Sequence, residues 1–252
     1  MMDPKLLAAA LFLPLFPLSM LFSILFEGLR HVVLRAVVLL AWPQIGVWLF
    51  QGATEPVPSW MTMLALFTSL LYGFRALVLR ELVHWISFLA VSSWTLLWVA
   101  SGSMASDQSM SLLALGCSAP LVILTVLGLH LQKRFGASYS GLNNGLGHTM
   151  PRFSGVLVFT ILAVVATPVF PGFVVMMAAF LEATHITLIG TILLCLIWMI
   201  WAWAGARLIQ GFVIGESKGN EVDDLPVATV WVYVVLLAGL GVFGLTMMDV
   251  LS

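Results

Sequence analysis

The chain has 252 residues, 62% of them hydrophobic and only 8% charged, with a mean hydropathy of +1.11 and a formal net charge of -1. Values this far from those of soluble domains mark a polytopic membrane protein and leave no room for a soluble domain between the apolar runs. The net charge carries no information about partners, because in a membrane the placement of charges matters rather than their sum.

Apolar runs long enough to cross about 30 Å of hydrocarbon fall at about 6–26, 32–50, 60–79, 82–101, 109–131, 152–182, 185–210 and 226–248, so eight transmembrane segments are expected in an all-α bundle. The first, beginning MMDPKLLAAALFLPLFPLSM, has no A-x-A-like cleavage site and reads as a retained helix. Arg30, His31 and Arg35 stand at the start of the second, which also contains Pro43; the two arginines are expected to snorkel to the interface. Cys117 and Cys195 both lie inside apolar runs, where they read as small buried hydrophobes. The seventh run holds IWMIWAWAGAR, whose Trp198, Trp201 and Trp203 suit packing against a partner or lipid, while Ala204, Gly205 and Ala206 allow close helix approach. A tight turn is expected near Ala183, and GESKGNEVDDLP joins the last two segments.

With eight crossings, Arg30, Arg35, Arg75, Arg80, Lys133, Arg134, Arg152, Arg207 and Lys218 fall on one side and Lys5 alone on the other. Short loops rich in Lys and Arg stay cytoplasmic, so both termini are expected on the outer, periplasmic side of an inner membrane.

The sixth segment is bounded by MPRFS at Met150 to Ser154 and contains TPVFPG at Thr167 to Gly172. Pro151 suits the first turn of a helix. Pro168 and Pro171 instead imply an interruption, since the residue before each proline leaves the helical region and Gly172 adds backbone freedom. A broken helix at membrane depth is tolerated only where its freed polar groups meet protein or a water-filled cavity.

From GLHLQKRFG through GLGHTMPRFSGVLVFTILAVVATPVFPGF, the chain resembles the antiporter-like membrane subunits of respiratory complex I and Mrp-type cation/proton antiporters, in which an M-P-x-L-like start leads to an L-P-G-F-like break. Upstream, LVLRELVHWISFLAVSSW is similar to the family's R-D-[LI]-K turn and [IL]-A-Y-S-S-[VI]-S helix, and LLALGCSAPLVIL to its H-G-L-S-A-A-L-F-L helix; downstream, ARLIQGFVIG resembles its Arg-x-x-x-Gly helix end. The resemblance covers about residues 61–216. It implies one antiporter-like five-helix repeat within an antiporter-like domain at 56–252, preceded at 1–55 by two helices of unknown relation. Family chains are about twice as long and contain two inverted repeats.

The resemblance also implies a proton relay of ionisable groups at mid-membrane, where each costs about 2.5–3.5 kcal/mol to bury. Three relay positions here carry side chains that bind no proton. Val83 stands for the lysine of the R-D-[LI]-K turn, Leu115 for the histidine of H-G-L-S, and Ala179 for the Glu or Lys of G-F-x-[GS]-[EK]. Glu182, one helical turn beyond Ala179, His185 a further turn on, and His84 beside Val83 are the candidates for a rewired relay. Alternatively, all three are ordinary interfacial groups. Arg80 and Glu81, at the family's Arg-Asp position, are expected to form an interfacial ion pair.

No nucleotide loop, haem or iron–sulfur ligand set, zinc site or activated nucleophile is recognisable, so no cofactor or metal, no nucleic acid and no catalysis are expected of this chain. The expectation is an accessory, antiporter-derived subunit of a complex I-like, Mrp-like or inorganic-carbon uptake complex. Its partners would be lipid and other membrane subunits, including a full-length antiporter-like one. An ion-conducting subunit using Glu182, His185 and His84 is the alternative.

Overall fold

The computed structural model describes residues 3–54, 56–103, 107–141, 144–186, 188–215 and 223–248. Among them the chain is a bundle of eleven α-helices: α1 Pro4–Phe12, α2 Ser19–Gly28, α3 Val32–Gln51, α4 Ser59–Ala76, α5 Leu82–Ala100, α6 Asp107–Phe135, α7 Leu146–Thr149, α8 Pro151–Val164, α9 Pro171–Ile186, α10 Leu188–Val213 and α11 Val227–Met248. Among the described residues, extended pairing is confined to a single bridge between Glu81 and Tyr139. Five helices, α3, α5, α6, α10 and α11, are long and apolar enough to cross a membrane by length and composition. All eight expected segments are present as helices or helix pairs.

The central element is α5. Buried residues make up 83% of its apolar window, against 22% for α3 and for α11, so the latter two line the outside. Trp85, Trp94 and Trp98 of α5 are fully buried. Because hydrocarbon offers no hydrophobic drive for helices to associate, close packing and interhelical hydrogen bonds hold such a bundle together. Ser69 of α4 and Ser92 of α5 supply one clamp: the Ser92 hydroxyl donates to the Ser69 carbonyl at 2.7 Å, the Ser69 hydroxyl reaches the Ser92 carbonyl at 2.8 Å, and Trp201 Nε1 of α10 donates to Ser92 Oγ at 2.8 Å. Trp94 Nε1 donates to Ser118 Oγ of α6 at 3.1 Å.

Two helices are broken rather than one. The second segment pair, α8 and α9, is interrupted over residues 165–170 as expected, with Pro151 and Pro171 each at the start of a helix. The first segment, read as one continuous helix, is also interrupted, between Phe12 and Ser19, and this corrects the sequence reading. The left-handed residues at the later break are Ala166 (φ 57°) and Val169 (φ 87°), whereas Gly172 sits within α9 and is not the residue that turns the chain. A β-branched residue in that region is strained and persists only where its surroundings over-determine it.

The charges divide between the two ends of the bundle. At one end, Asp3 accepts hydrogen bonds from the amides of Lys5 (2.8 Å) and Thr54 (2.9 Å), and Lys5 Nζ donates to the Gly52 carbonyl at 2.6 Å. Hydrogen bonds from those two amides hold the Asp3 carboxyl below its ordinary value. At the other end lie eight of the nine basic residues assigned to one side; the ninth, Lys218, lies outside the described residues. There Arg134 donates to the Asp223 carbonyl, and Asp224 accepts from the amides of Arg152 (2.8 Å) and Phe153 (3.1 Å), capping the N-terminus of α8 from a distant loop.

Other details depart from expectation. Cys117 is buried but Cys195 is exposed on the bundle's outer surface. Helix α9 runs through Ala183 to Ile186, so the turn falls later than expected. Of the three clustered tryptophans only Trp203 faces outward, at 58% exposure; Trp201 is buried.

Candidate functional site

Candidate sites are the two helix breaks and the polar cluster where His84 lies. At a break, carbonyls and amides that lose their helical partners must find others. At the first, Trp98 Nε1 donates to the Leu13 carbonyl at 2.9 Å and the Phe16 amide donates to Thr68 Oγ1 at 3.0 Å. At the second, Trp198 Nε1 donates to the Ala166 carbonyl at 3.2 Å and Thr167 Oγ1 to the Leu162 carbonyl at 2.9 Å. Both breaks are thus closed by an indole from a neighbouring helix.

Each is also backed by glycine. A Cβ at Gly46 of α3 would lie 2.8 Å from Leu13 Cγ and 2.9 Å from its amide nitrogen. At Gly244 of α11 a Cβ would lie 2.1 Å from the Val169 carbonyl oxygen, and at Gly116 of α6 it would lie 2.4 Å from Pro171 Cβ. The later break is therefore clasped between two helices. Because α1 starts at the Lys5 end and α8 at the basic end, the two broken helices run in opposite directions.

The polar cluster joins three elements at the basic end. His84 Nδ1 lies 2.8 Å from Glu81 Oε2, and its Nε2 lies 3.3 Å from Glu27 Oε2 at the end of α2. The Tyr139 hydroxyl donates to Glu81 at 2.9 Å, and this bond pushes the phenol above its ordinary value. Glu81 thus pairs with His84 and Tyr139; the expected ion pair with Arg80 is not among the ion pairs of the described residues. Arg35 does not simply snorkel: half-buried, it lies over the Phe26 ring at 5.8 Å, and its buried Nε has no partner among the described residues. It lines a water-sized cavity together with Val83.

His84 and Glu182 are not brought together. Glu182 lies on α9 beside Gly102, just past the far end of α5, while His84 lies at its start. Sixteen residues of α5 follow His84 up to the helix's far end at Ala100, about 24 Å at 1.5 Å per residue. The backbone of His185 belongs to α9, one turn beyond Glu182; its side chain lies outside the described residues. Of the positions without relay groups, Ala179 is fully buried, whereas Val83 and Leu115 are half-buried. Every described Asp, Glu, Lys, Arg and His within a helix stands in that helix's first or last two turns. Between those ends the described polar side chains are uncharged: hydroxyls, indoles and the amide of Gln44, which donates to the Ser111 carbonyl at 3.0 Å, while the Trp42 indole has no partner among the described residues.

Sequence reasoning missed Glu27, the capping role of Asp224 and the first break. The signal for the break was present, since Pro14-Leu-Phe-Pro17 repeats the pattern of Pro168-Val-Phe-Pro171.

No family profile matches the chain, and no curated protein is similar to it. Solved structures are similar. A chain of respiratory complex I from Thermus thermophilus superposes with a TM-score of 0.78 at 19% identity, over 98% of this chain and 58% of that one. A chain of the Mrp complex from Dietzia sp. DQ12-45-1b gives 0.78 at 14% identity, over 98% and 56%. A chain of the membrane-bound sulfane sulfur reductase, an archaeal respiratory membrane complex, gives 0.79 at 17% identity, over 98% and 53%. The likeness takes in nearly all of residues 1–55, which the motifs left unplaced. This chain, which spans a little over half the length of each of those chains, has the fold of antiporter-like membrane subunits of the complex I, Mrp and sulfane-sulfur-reductase kind.

Proposed function

We infer that this protein is a non-catalytic membrane subunit of a multi-subunit, ion-coupled complex, and that it contributes shape and packing rather than the ion path itself. The observation that carries the reading is the placement of charge: the described Asp, Glu, Lys, Arg and His within helices keep to the helix ends, and the levels between them are neutral. A proton path across hydrocarbon needs titratable or hydrated groups in steps of a few ångströms. Here about 24 Å of α5, on the 1.5 Å rise per residue, separates His84 from the end of the helix beside which Glu182 lies. The bonds of Trp98 and Trp198 support the same view, since each occupies a carbonyl that a helix break frees, Leu13 at the first and Ala166 at the second. The expected partners are other membrane subunits, among them a full-length antiporter-like one, in a complex I-like, Mrp-like or inorganic-carbon uptake assembly. Basic loops at one end favour an inner-membrane orientation with both termini outside.

The test is replacement of Glu182 and His84 by Gln, singly and together, in the intact complex, followed through assembly on native gels and ion flux in vesicles. The structural reading expects flux per assembled complex to stay unchanged. Loss of flux with assembly intact would establish the rewired relay instead.

A further inference from the structure

The geometry points to a binding site for the headgroup of an anionic phospholipid between α4 and α10 at the basic end of the bundle. A cavity of about 340 Å³ opens there, lined by Arg80, Arg207, Ser140 and Gln210. Its volume lies within the span of small-ligand sites, about 300–1,000 Å³.

The walls are held by the backbone: the Ser140 amide donates to the Arg80 carbonyl at 2.8 Å and the Gly141 amide to the Gly211 carbonyl at 2.9 Å. Gly211 permits this approach, because a Cβ there would lie 2.8 Å from Ser140 Cβ. The cavity is therefore a built feature rather than a gap between loose loops.

Both guanidinium groups are exposed, and among the described residues neither takes part in an ion pair or a side-chain hydrogen bond. Glu81, the nearest carboxylate in sequence, is already engaged by His84 and Tyr139. Two unneutralised arginines sharing one polar cavity call for an anion with several acceptor oxygens, which the guanidinium fork matches in a phosphate diester.

What distinguishes a lipid from a free anion is the flank. Phe74 of α4, Val78 in the turn just past it, which lines the cavity, and Trp203 of α10 are 59%, 71% and 58% exposed, an apolar flank along which acyl chains would run. Basic pockets between helices at the membrane surface recognise anionic headgroups by this combination of charge and apolar wall. The inference does not depend on whether the subunit conducts ions.

The experiment is native mass spectrometry of the full-length chain in mild detergent, titrated with dioleoyl-phosphatidylglycerol, dioleoyl-phosphatidylcholine or inorganic phosphate. Phosphatidylglycerol should remain bound where phosphatidylcholine does not, and Arg80→Gln and Arg207→Gln should each weaken its binding about fivefold. Arg30→Gln, an arginine of the same end outside the cavity, should leave it unchanged. Equal retention of the two lipids, unchanged binding in both cavity variants, or inorganic phosphate binding as tightly as phosphatidylglycerol would overturn the assignment. If a variant does not fold, the comparison of the two lipids on the unaltered chain decides.

Discussion

Replacing Gly244 with alanine should pry open the second helix break. The added Cβ would stand 2.1 Å from the Val169 carbonyl oxygen, 2.8 Å from the Phe170 carbonyl carbon and 2.9 Å from the Pro171 nitrogen, where ordinary contact begins near 3.4 Å. All three neighbours are backbone, so no side-chain rotation relieves the clash, and either α11 or the break must move by more than an ångström. Overpacking of a dense interior typically costs about 1–3 kcal/mol, and a backbone clash of this depth belongs at or above the upper end. The displaced segment also contains Val169 in its strained conformation and the Ala166 carbonyl that Trp198 bonds. Gly239→Ala on the same helix is the control, because nothing lies within 4 Å of its Cβ and alanine favours a helix over glycine by up to about 1 kcal/mol. The assay is thermal unfolding in detergent followed by tryptophan fluorescence. Gly244→Ala should melt well below the parent and Gly239→Ala at or above it. Two variants that melt alike, or a Gly244→Ala variant that melts with the parent, would refute the packing of the break against α11.

Asp224→Ala removes the carboxylate that accepts from the Arg152 and Phe153 amides, so α8 should fray at its start at a cost of about 1–2 kcal/mol, read as faster hydrogen exchange of those two amides. Trp98→Phe and Trp198→Phe each leave a buried carbonyl without its indole donor, and each should cost about 1–3 kcal/mol in the same melting assay while Trp203→Phe costs almost nothing. The Asp3 carboxyl titrates below its ordinary value of 3.8, so its contribution to stability is fully present above that value and is lost as pH falls through the lowered one. The melting difference between the parent and Asp3→Asn should accordingly hold steady at neutral pH and vanish in acid; a difference independent of pH would show that the carboxylate does not fasten the N-terminus to Thr54.

Much of the architecture was legible because hydrocarbon is an exacting solvent. A segment without charges for some twenty residues has few places to go, so α3 to α6, α10 and α11 emerge at nearly the expected positions. The break at Pro168 and Pro171 was equally legible, since a missing amide and a displaced neighbour follow from proline wherever it stands. The first break escaped because its flanking apolar run was long enough to span when read as a whole, although Pro14 and Pro17 carry the same spacing. The clustered tryptophans misled for a different reason: an indole is apolar enough for lipid and polar enough to bond a carbonyl, and composition does not distinguish Trp203 from Trp198 and Trp201.

What the sequence by itself determined is where charge cannot be: Val83, Leu115 and Ala179 are fixed as unable to bind a proton by their chemistry alone, and the long neutral stretches by their composition. Only the tertiary structure decided which groups meet. That His84 faces Glu27 and Glu81, that Arg80 and Arg207 line one cavity, and that Asp224 caps α8 depend on helices far apart in the chain packing side by side. Hydropathy reports the solvent each segment prefers, whereas contact between segments is set by the shapes of their surfaces, which no single segment contains.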